Sequence, residues 1–411
     1  MIRFLDRWSL DPKLVFAIAG LTIFGIAMIY SAGAVHIPNP VTERAWMRQA
    51  LWFGIGLTAF TLLARVPPRW IEWVAVPAYV VSVVLLGITL VIGTGSGTAA
   101  GVKSWIDLGP ISFQPSEIAK ISTILAVARL LSQRDTRVTM LRDLLAPAAL
   151  VGLPLLLVML QPDLGTAMAF VGILFAMLFW AGTPVALLLL VMSPVASLFI
   201  SYDTTLWSWY IVAIIGFLYF YRYKLFLFES VALVLANFAA ATISRPLWNS
   251  LAAYQQNRIL VFLDPEVDPR GAGYQVIQSK VAVGSGGLLG QGFMLGPQKR
   301  FDFLPEQHTD FIFSVVGEEL GFVGTALALL AFAYILARLV QLAERSHDPF
   351  AGLVLLGIFG AWLVHVFVNI GMTVGLVPIT GIPLPFVSYG GTFLFMSWVA
   401  VAIAVRVAHE R

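Results

Sequence analysis

Apolar runs long enough to cross a bilayer recur along this chain from Leu14 to Val405, and that recurrence limits its folds more than any other feature. A helix needs about 20 residues to span a hydrocarbon core of roughly 30 Å. Backbone polar groups cannot stay unpaired in lipid, and the runs exceed the roughly 10-residue alternating strands of an outer-membrane barrel. The expected fold class is an all-α polytopic membrane protein with about 10–12 transmembrane helices and a long ordered extracytoplasmic loop. Of the 411 residues, 59% are hydrophobic and 11% charged, which is more apolar side chain than a soluble domain of this size encloses.

Breakers between the runs give spans near 14–33, 47–64, 70–92, 116–132, 144–160, 164–182, 184–201, 207–221, 225–247, 310–338, 350–372 and 384–405. The whole chain, 1–411, reads as a single membrane domain, with residues 248–309 as its extracytoplasmic loop. The runs 184–201, 207–221 and 225–247 fit two helices or three, with Trp207, Trp209, Tyr219, Tyr221 and Tyr223 as interfacial aromatics. Three keeps the total even and both termini in the cytoplasm. Arg3, Arg7, Lys13, Arg65, Arg69, Arg129, Arg134, Arg137, Arg142, Arg222, Lys224, Arg338, Arg345, Arg406 and Arg411 then lie inside, as the positive-inside rule asks. Arg3, Arg7 and Lys13 before an apolar run imitate a signal peptide, but the run is long and more spans follow, so an uncleaved first helix is expected. A net charge of +3 implies no nucleic-acid partner, and the absence of cysteine removes disulfides and thiolate metal sites.

The segment from Tyr254 to Thr309 gathers charge and glycine in an otherwise apolar chain, with enough Val, Ile and Leu to fold back toward the membrane. Asp310 follows it and precedes Phe311-Ile312-Phe313, which places it in the first turn of a membrane helix. There it reads either as a helix cap or as a general base whose burial raises its pKa. Gln114-Pro115-Ser116-Glu117 opens another helix, where Glu117 and Lys120 share a face. They read as a buried ion pair, or as Lys120 aimed at an anionic ligand and held by Glu117. Gln161-Pro162-Asp163 repeats the pattern of Gln-Pro plus an acid. All three starts open on the outer face, where free N–H groups suit a diphosphate, and Arg258, Lys280, Lys299 and Arg300 offer further positive charge. The glycines of 284–292 lack a Walker lysine and a preceding strand, so close packing explains them better than nucleotide binding. Glu306, His308 and Asp310 do not make a metal signature. No cofactor-binding motif is recognisable, and a divalent cation, Mg or Mn, is compatible with the chemistry, for example as a companion of the substrate.

These residues carry a resemblance to the RodA/FtsW (SEDS) family. It runs in family order through FQPSEIAK (113–120), QPDLGTA (161–167), LDPEVDPRGAGYQVIQS (263–279), GSGGLLGQG (284–292), FLPEQHTDFIFSVVGEELGFVG (303–324) and GIPLPFVSYGG (381–391). The wording FLPEQHTDF, and WIDLG at 105–109, is most similar to the RodA branch. The resemblance implies a peptidoglycan glycosyltransferase that polymerises lipid II for elongation and rod shape. It would sit in the bacterial cytoplasmic membrane with its site facing the periplasm or cell exterior. Its partner would be a class B penicillin-binding protein, contacted through transmembrane helices. It implies Asp310 as catalytic residue, Glu117 and Lys120 as the paired charges, and Trp105 as a position tied to activity. Gln114, Asp163, Arg258, Lys280, Lys299 and His308 complete the candidate substrate-binding set. The family's usual ten helices leave residues 202–245 as an extra helical pair. A lipid II transporter and a non-catalytic scaffold for the penicillin-binding protein are the competing readings.

Overall fold

A computed structural model describes residues 11–36, 40–95, 103–107, 109, 112–133, 138, 140–221, 227–269, 271–301 and 303–409. Arg3, Arg7, Arg134, Arg137, Arg222, Lys224, Arg411 and Tyr223 lie outside the described residues. Among the described residues the chain is all-α apart from a two-stranded hairpin, β1 (Ile106–Asp107) and β2 (Ser112–Phe113). Nine long helices come first: α1 (Pro12–Gly33), α2 (Ala45–Leu63), α3 (Pro68–Ile92), α4 (Pro115–Ser132), α5 (Leu141–Leu160), α6 (Leu164–Trp180), α7 (Val185–Ile200), α8 (Thr204–Tyr221) and α9 (Leu227–Ser250). Two shorter ones, α10 (Ala253–Leu263) and α11 (Ala272–Ser285), form the long loop. Three more long helices close the chain: α12 (Ile312–Arg345), α13 (Pro349–Val374) and α14 (Gly391–Val407). Six of the described helices are long and apolar enough to span a bilayer, and four shorter ones are apolar along their length.

The helix starts follow local rules. Asp11, Asp163 and Asp348 accept backbone N–H bonds at the first turns of α1, α6 and α13, and proline occupies the first turn of α1, α3, α4 and α13. Burial then sorts the helices. In α13, 78% of the apolar window is buried inside the protein, against 28% in α3, so α13 is the axis and α3 faces lipid. Helix α13 packs on α4, α6, α12 and α14. Its glycines allow this: a Cβ at Gly360 would meet the Gly172 carbonyl of α6, and one at Gly357 would meet Ile124 of α4.

The region 184–250 holds three helices, as the even count requires. Polar side chains join them inside the bundle: Asn237 Nδ2 donates to Ser193 Oγ (2.8 Å), Trp207 Nε1 to Ser197 Oγ (3.0 Å) and Ser201 Oγ to Ser244 Oγ (2.9 Å). Trp207 is therefore turned inward by its N–H, whereas Trp209 and Tyr219 are exposed. The start of the long loop also moves, since α9 continues to Ser250.

The loop folds back as its apolar content suggested. Val261 and Val276 pack with Leu304, Phe311, Met372 and Ile379 in a second small core. The glycine-rich stretch docks on α12, where Gln291 N donates to Glu318 O (2.9 Å), Gly292 N to Glu319 O (3.0 Å) and Phe322 N to Gly287 O (2.9 Å). Approach this close requires glycine on both sides: Gly290 (φ 83°) abuts the Glu319 carbonyl, and Gly321 (φ 62°) breaks α12 against Gly290 and Leu288.

Candidate active site

Three helix starts meet at one end of the bundle. Gln114 Nε2 donates to Asp163 Oδ2 (3.2 Å), which joins the starts of α4 and α6. Asp163 is further engaged by Thr166, whose N (3.0 Å) and Oγ1 (2.8 Å) both donate to it. Gly165 lies against Thr380 and Ile382 of the segment before α14, and Gly381 of that segment faces the Asp310 carboxylate. One connector thus touches both the α6 start and the turn before α12.

Asp310 sits two residues before α12 rather than in its first turn. The N–H groups of Thr309, Asp310 and Phe311 all point to the Glu306 carbonyl oxygen (3.2, 3.2 and 3.3 Å), so this tight turn precedes the helix. No side chain caps α12, and the cap reading of Asp310 falls. Its half-buried carboxylate is raised from the ordinary 3.8 to about 7 by burial first and by the Glu306 charge second, against the opposing pull of Arg258 and a hydrogen bond from Thr309. A carboxylate with that proton affinity suits general-base work near neutrality.

Arg258, on α10, is the cation that acts on Asp310; it also lies over the Tyr254 ring (5.8 Å). With exposed Lys280 of α11 it lines a groove walled by Val261, Phe262, Val276, Val377, Pro378 and Ile379. Two positive charges thus border an apolar groove beside the carboxylate. His308 stands in the same turn, its ring 5.6 Å from Tyr389 and its carbonyl accepting from Tyr389 N (2.9 Å).

Lys120 and Glu117 form a buried ion pair at 2.9 Å. The pair lines the head of a second groove, floored by Ile121, Ile124, Trp362, Phe393 and Met396. Lys120 also contacts His365 (2.9 Å), and Phe393 lies under its ammonium (5.2 Å). The pair is thus the buried ion pair of the first reading, and it also borders a cavity.

The remaining candidates lie elsewhere. Trp105 is half-buried in a bridge with Thr94 (N···O 2.8 and 3.2 Å), in the hairpin that leads to Gln114. Lys299 requires a correction, because its ammonium is buried against Glu319 (2.8 Å) and Ser31 (3.0 Å) instead of offered to a ligand. The physical reason is the docking of the loop onto α12, which buries Glu319 and demands a counter-charge. Arg300 is exposed. Among the described residues no cluster of three His, Asp or Glu side chains is placed to hold a metal. The sequence reading missed His365 and Asn369, one turn apart on α13, the second of which donates to the Asp310 carbonyl (2.9 Å). The available signal was a pair of polar side chains inside an apolar span.

The chain is similar to known proteins along nearly its whole length. The family profile described as cell cycle protein (FtsW, RodA, SpoVE) matches residues 12–218 and 202–411. The chain is 35% identical over 409 residues to the peptidoglycan glycosyltransferase MrdB of Escherichia coli, covering 99% of this chain and 96% of that protein. It is 32% identical to the peptidoglycan glycosyltransferase RodA of Treponema pallidum, covering 97% of each. Among solved structures, a chain from a peptidoglycan synthase complex that coordinates polymerization and crosslinking aligns with a TM-score of 0.71 at 31% identity, covering 98% of each chain. The rod shape determining protein RodA of Thermus thermophilus aligns with a TM-score of 0.63 at 28% identity, covering 98% of this chain and 97% of that one. The chain belongs to the FtsW/RodA/SpoVE family and is RodA-like within it.

Proposed function

We propose that this chain is a peptidoglycan glycosyltransferase that polymerises lipid II during cell elongation, with Asp310 as its general base. The observation that carries the reading is the Asp310 carboxylate, uncommitted to helix capping and raised to about 7, beside a groove bordered by Arg258 and Lys280. The 4-hydroxyl of a lipid II sugar attacks the anomeric carbon of the growing chain. As the new C–O bond forms, Asp310 takes the hydroxyl proton, and the bond to the lipid diphosphate breaks with its electron pair leaving on the diphosphate. Arg258, Lys280 and Lys120 offset the charge that develops there. One carboxylate base and a direct displacement give inversion at the anomeric carbon. A divalent cation, where needed, enters with the diphosphate.

The site would face the periplasm or cell exterior from the cytoplasmic membrane, which agrees with the basic loops assigned to the other face. A class B penicillin-binding protein would crosslink the product and contact this chain helix against helix. Gln114, Asp163 and His308, at the converging helix starts, would bind substrate there, and Trp105 would do so from the hairpin that leads to Gln114. Helices α8 and α9, which take up most of residues 202–245, are the pair added to the ten-helix plan, and the chemistry uses neither.

Polymerisation of lipid II by the purified chain tests the reading. Asp310→Ala is expected to lower the rate by about 10²–10⁴-fold, the usual contribution of a general base. A folded Asp310→Ala protein that polymerises at the wild-type rate would falsify the assignment.

A further inference from the structure

Two polar side chains lie one turn apart on α13, the most deeply buried helix, and the reaction above assigns neither. His365 is 1% exposed and Asn369 0%. Polar groups at membrane depth are expensive unless paired, so their partners define their purpose. The Nδ1 of His365 lies 3.0 Å from the Pro383 carbonyl oxygen, and its Nε2 lies 2.9 Å from Lys120 Nζ. A carbonyl only accepts, so Nδ1 carries the hydrogen and Nε2 presents a lone pair to the ammonium. The ring therefore has one polarity: donor toward the connector, acceptor toward Lys120. It stacks on Phe393 (4.9 Å, 25°), the same ring that lies under Lys120.

Asn369 completes the arrangement. Its Nδ2 donates to the Asp310 carbonyl (2.9 Å) and to the Ile382 carbonyl (2.8 Å). Ile382 and Pro383 are chain neighbours, so one rigid helix grips consecutive residues of the connector. It does so from two positions separated by about 6 Å of helical rise. The lower grip also holds Lys120, and the upper grip also holds Asp310.

We propose that His365, in its neutral Nδ1–H form, is a positioning residue that fixes the Lys120 ammonium relative to Asp310, with Asn369 anchoring the Asp310 end of the same span. The proposal rests on the assignment of Asp310 and Lys120 made above. Its content is a distance held constant: the base that takes a proton and the cation that meets the departing diphosphate are set by one helix. Effective geometry of this kind governs turnover more than binding.

The test uses lipid II polymerisation by the purified full-length chain. His365→Gln keeps a donor and an acceptor at the same spacing as the two ring nitrogens, whereas His365→Met keeps bulk and removes both. The expected result is His365→Gln within about 3-fold of wild-type kcat and His365→Met lowered by about 10–100-fold at unchanged KM, as for a displacement near 1 Å. In a Lys120→Met background, His365→Met should cause no further loss. Equal activity of the Gln and Met variants, or a full additional loss in the Lys120→Met background, would overturn the proposal. Where His365→Met does not fold, Asn369→Leu gives the parallel readout: a kcat loss at constant KM supports the proposal, and wild-type kcat overturns it. An active Asp310→Ala protein would remove the base assignment alone, because the His365–Lys120 coupling is read separately in the double variant.

Discussion

At the scale of single residues, the site is a set of buried charges whose costs differ. Asp310 is raised to about 7, so ionising it in the folded protein opposes folding. The stability tied to its protonated form is complete below the ordinary carboxylate pKa and is lost as pH rises through about 7. Asp310→Asn should therefore raise the thermal midpoint relative to wild type most at pH 8, less at pH 5, and hardly at all below the ordinary carboxylate pKa, measured by unfolding in detergent. Lys120 and Glu117 behave oppositely, since each neutralises the other in a buried site. Lys120→Met alone is expected to cost about 3–5 kcal/mol by stranding Glu117, and Glu117→Gln added to it should recover most of that loss. Unfolding midpoints of the single and double variants check this. Asp310, Glu117, Lys120 and Asp163 stand out in the sequence as candidates because each lies at a helix start marked by proline or by a polar-to-apolar switch. His365 and Asn369 were hidden because an apolar span was read only for its length. Lys299 misled because a basic residue in a glycine-rich loop looks solvated until its partner, Glu319, is placed in three dimensions.

At the scale of elements, the glycine-rich stretch and the break in α12 make one joint. Backbone bonds from 291 and 292 to Glu318 and Glu319 require the two chains to touch, and Gly290 and Gly321 leave the room for it. Gly290→Ala should cost about 1–3 kcal/mol from its positive φ alone, with a further loss from contact with the Glu319 carbonyl. Limited proteolysis should then cut the loop faster than in wild type. The packing role of these glycines was legible, since the stretch lacks the lysine and strand that phosphate binding needs. The position of Asp310 relative to α12 was not, because three N–H groups converging on one Glu306 carbonyl leave no trace in an apolar pattern.

At the scale of the whole molecule, hydrophobic length predicted about 10–12 long helices, because the bilayer leaves helices as the solution for such a chain, and the loop's apolar content predicted that it folds back. Length does not rank helices by depth. The central place of α13 and the lipid-facing place of α3 emerge only from which small residues and polar groups meet. That ranking matters for function, since the central helix carries the contacts that join Asp310 to Lys120. The central claim, that Asp310 takes the proton, is tested most directly by the pH dependence of kcat/KM for lipid II polymerisation, which reports the free enzyme. The acid limb should lie near 7, move down in Glu306→Gln and move up in Arg258→Gln, following the two charges that act on the carboxylate. An acid limb that stays in place in both variants would contradict the account.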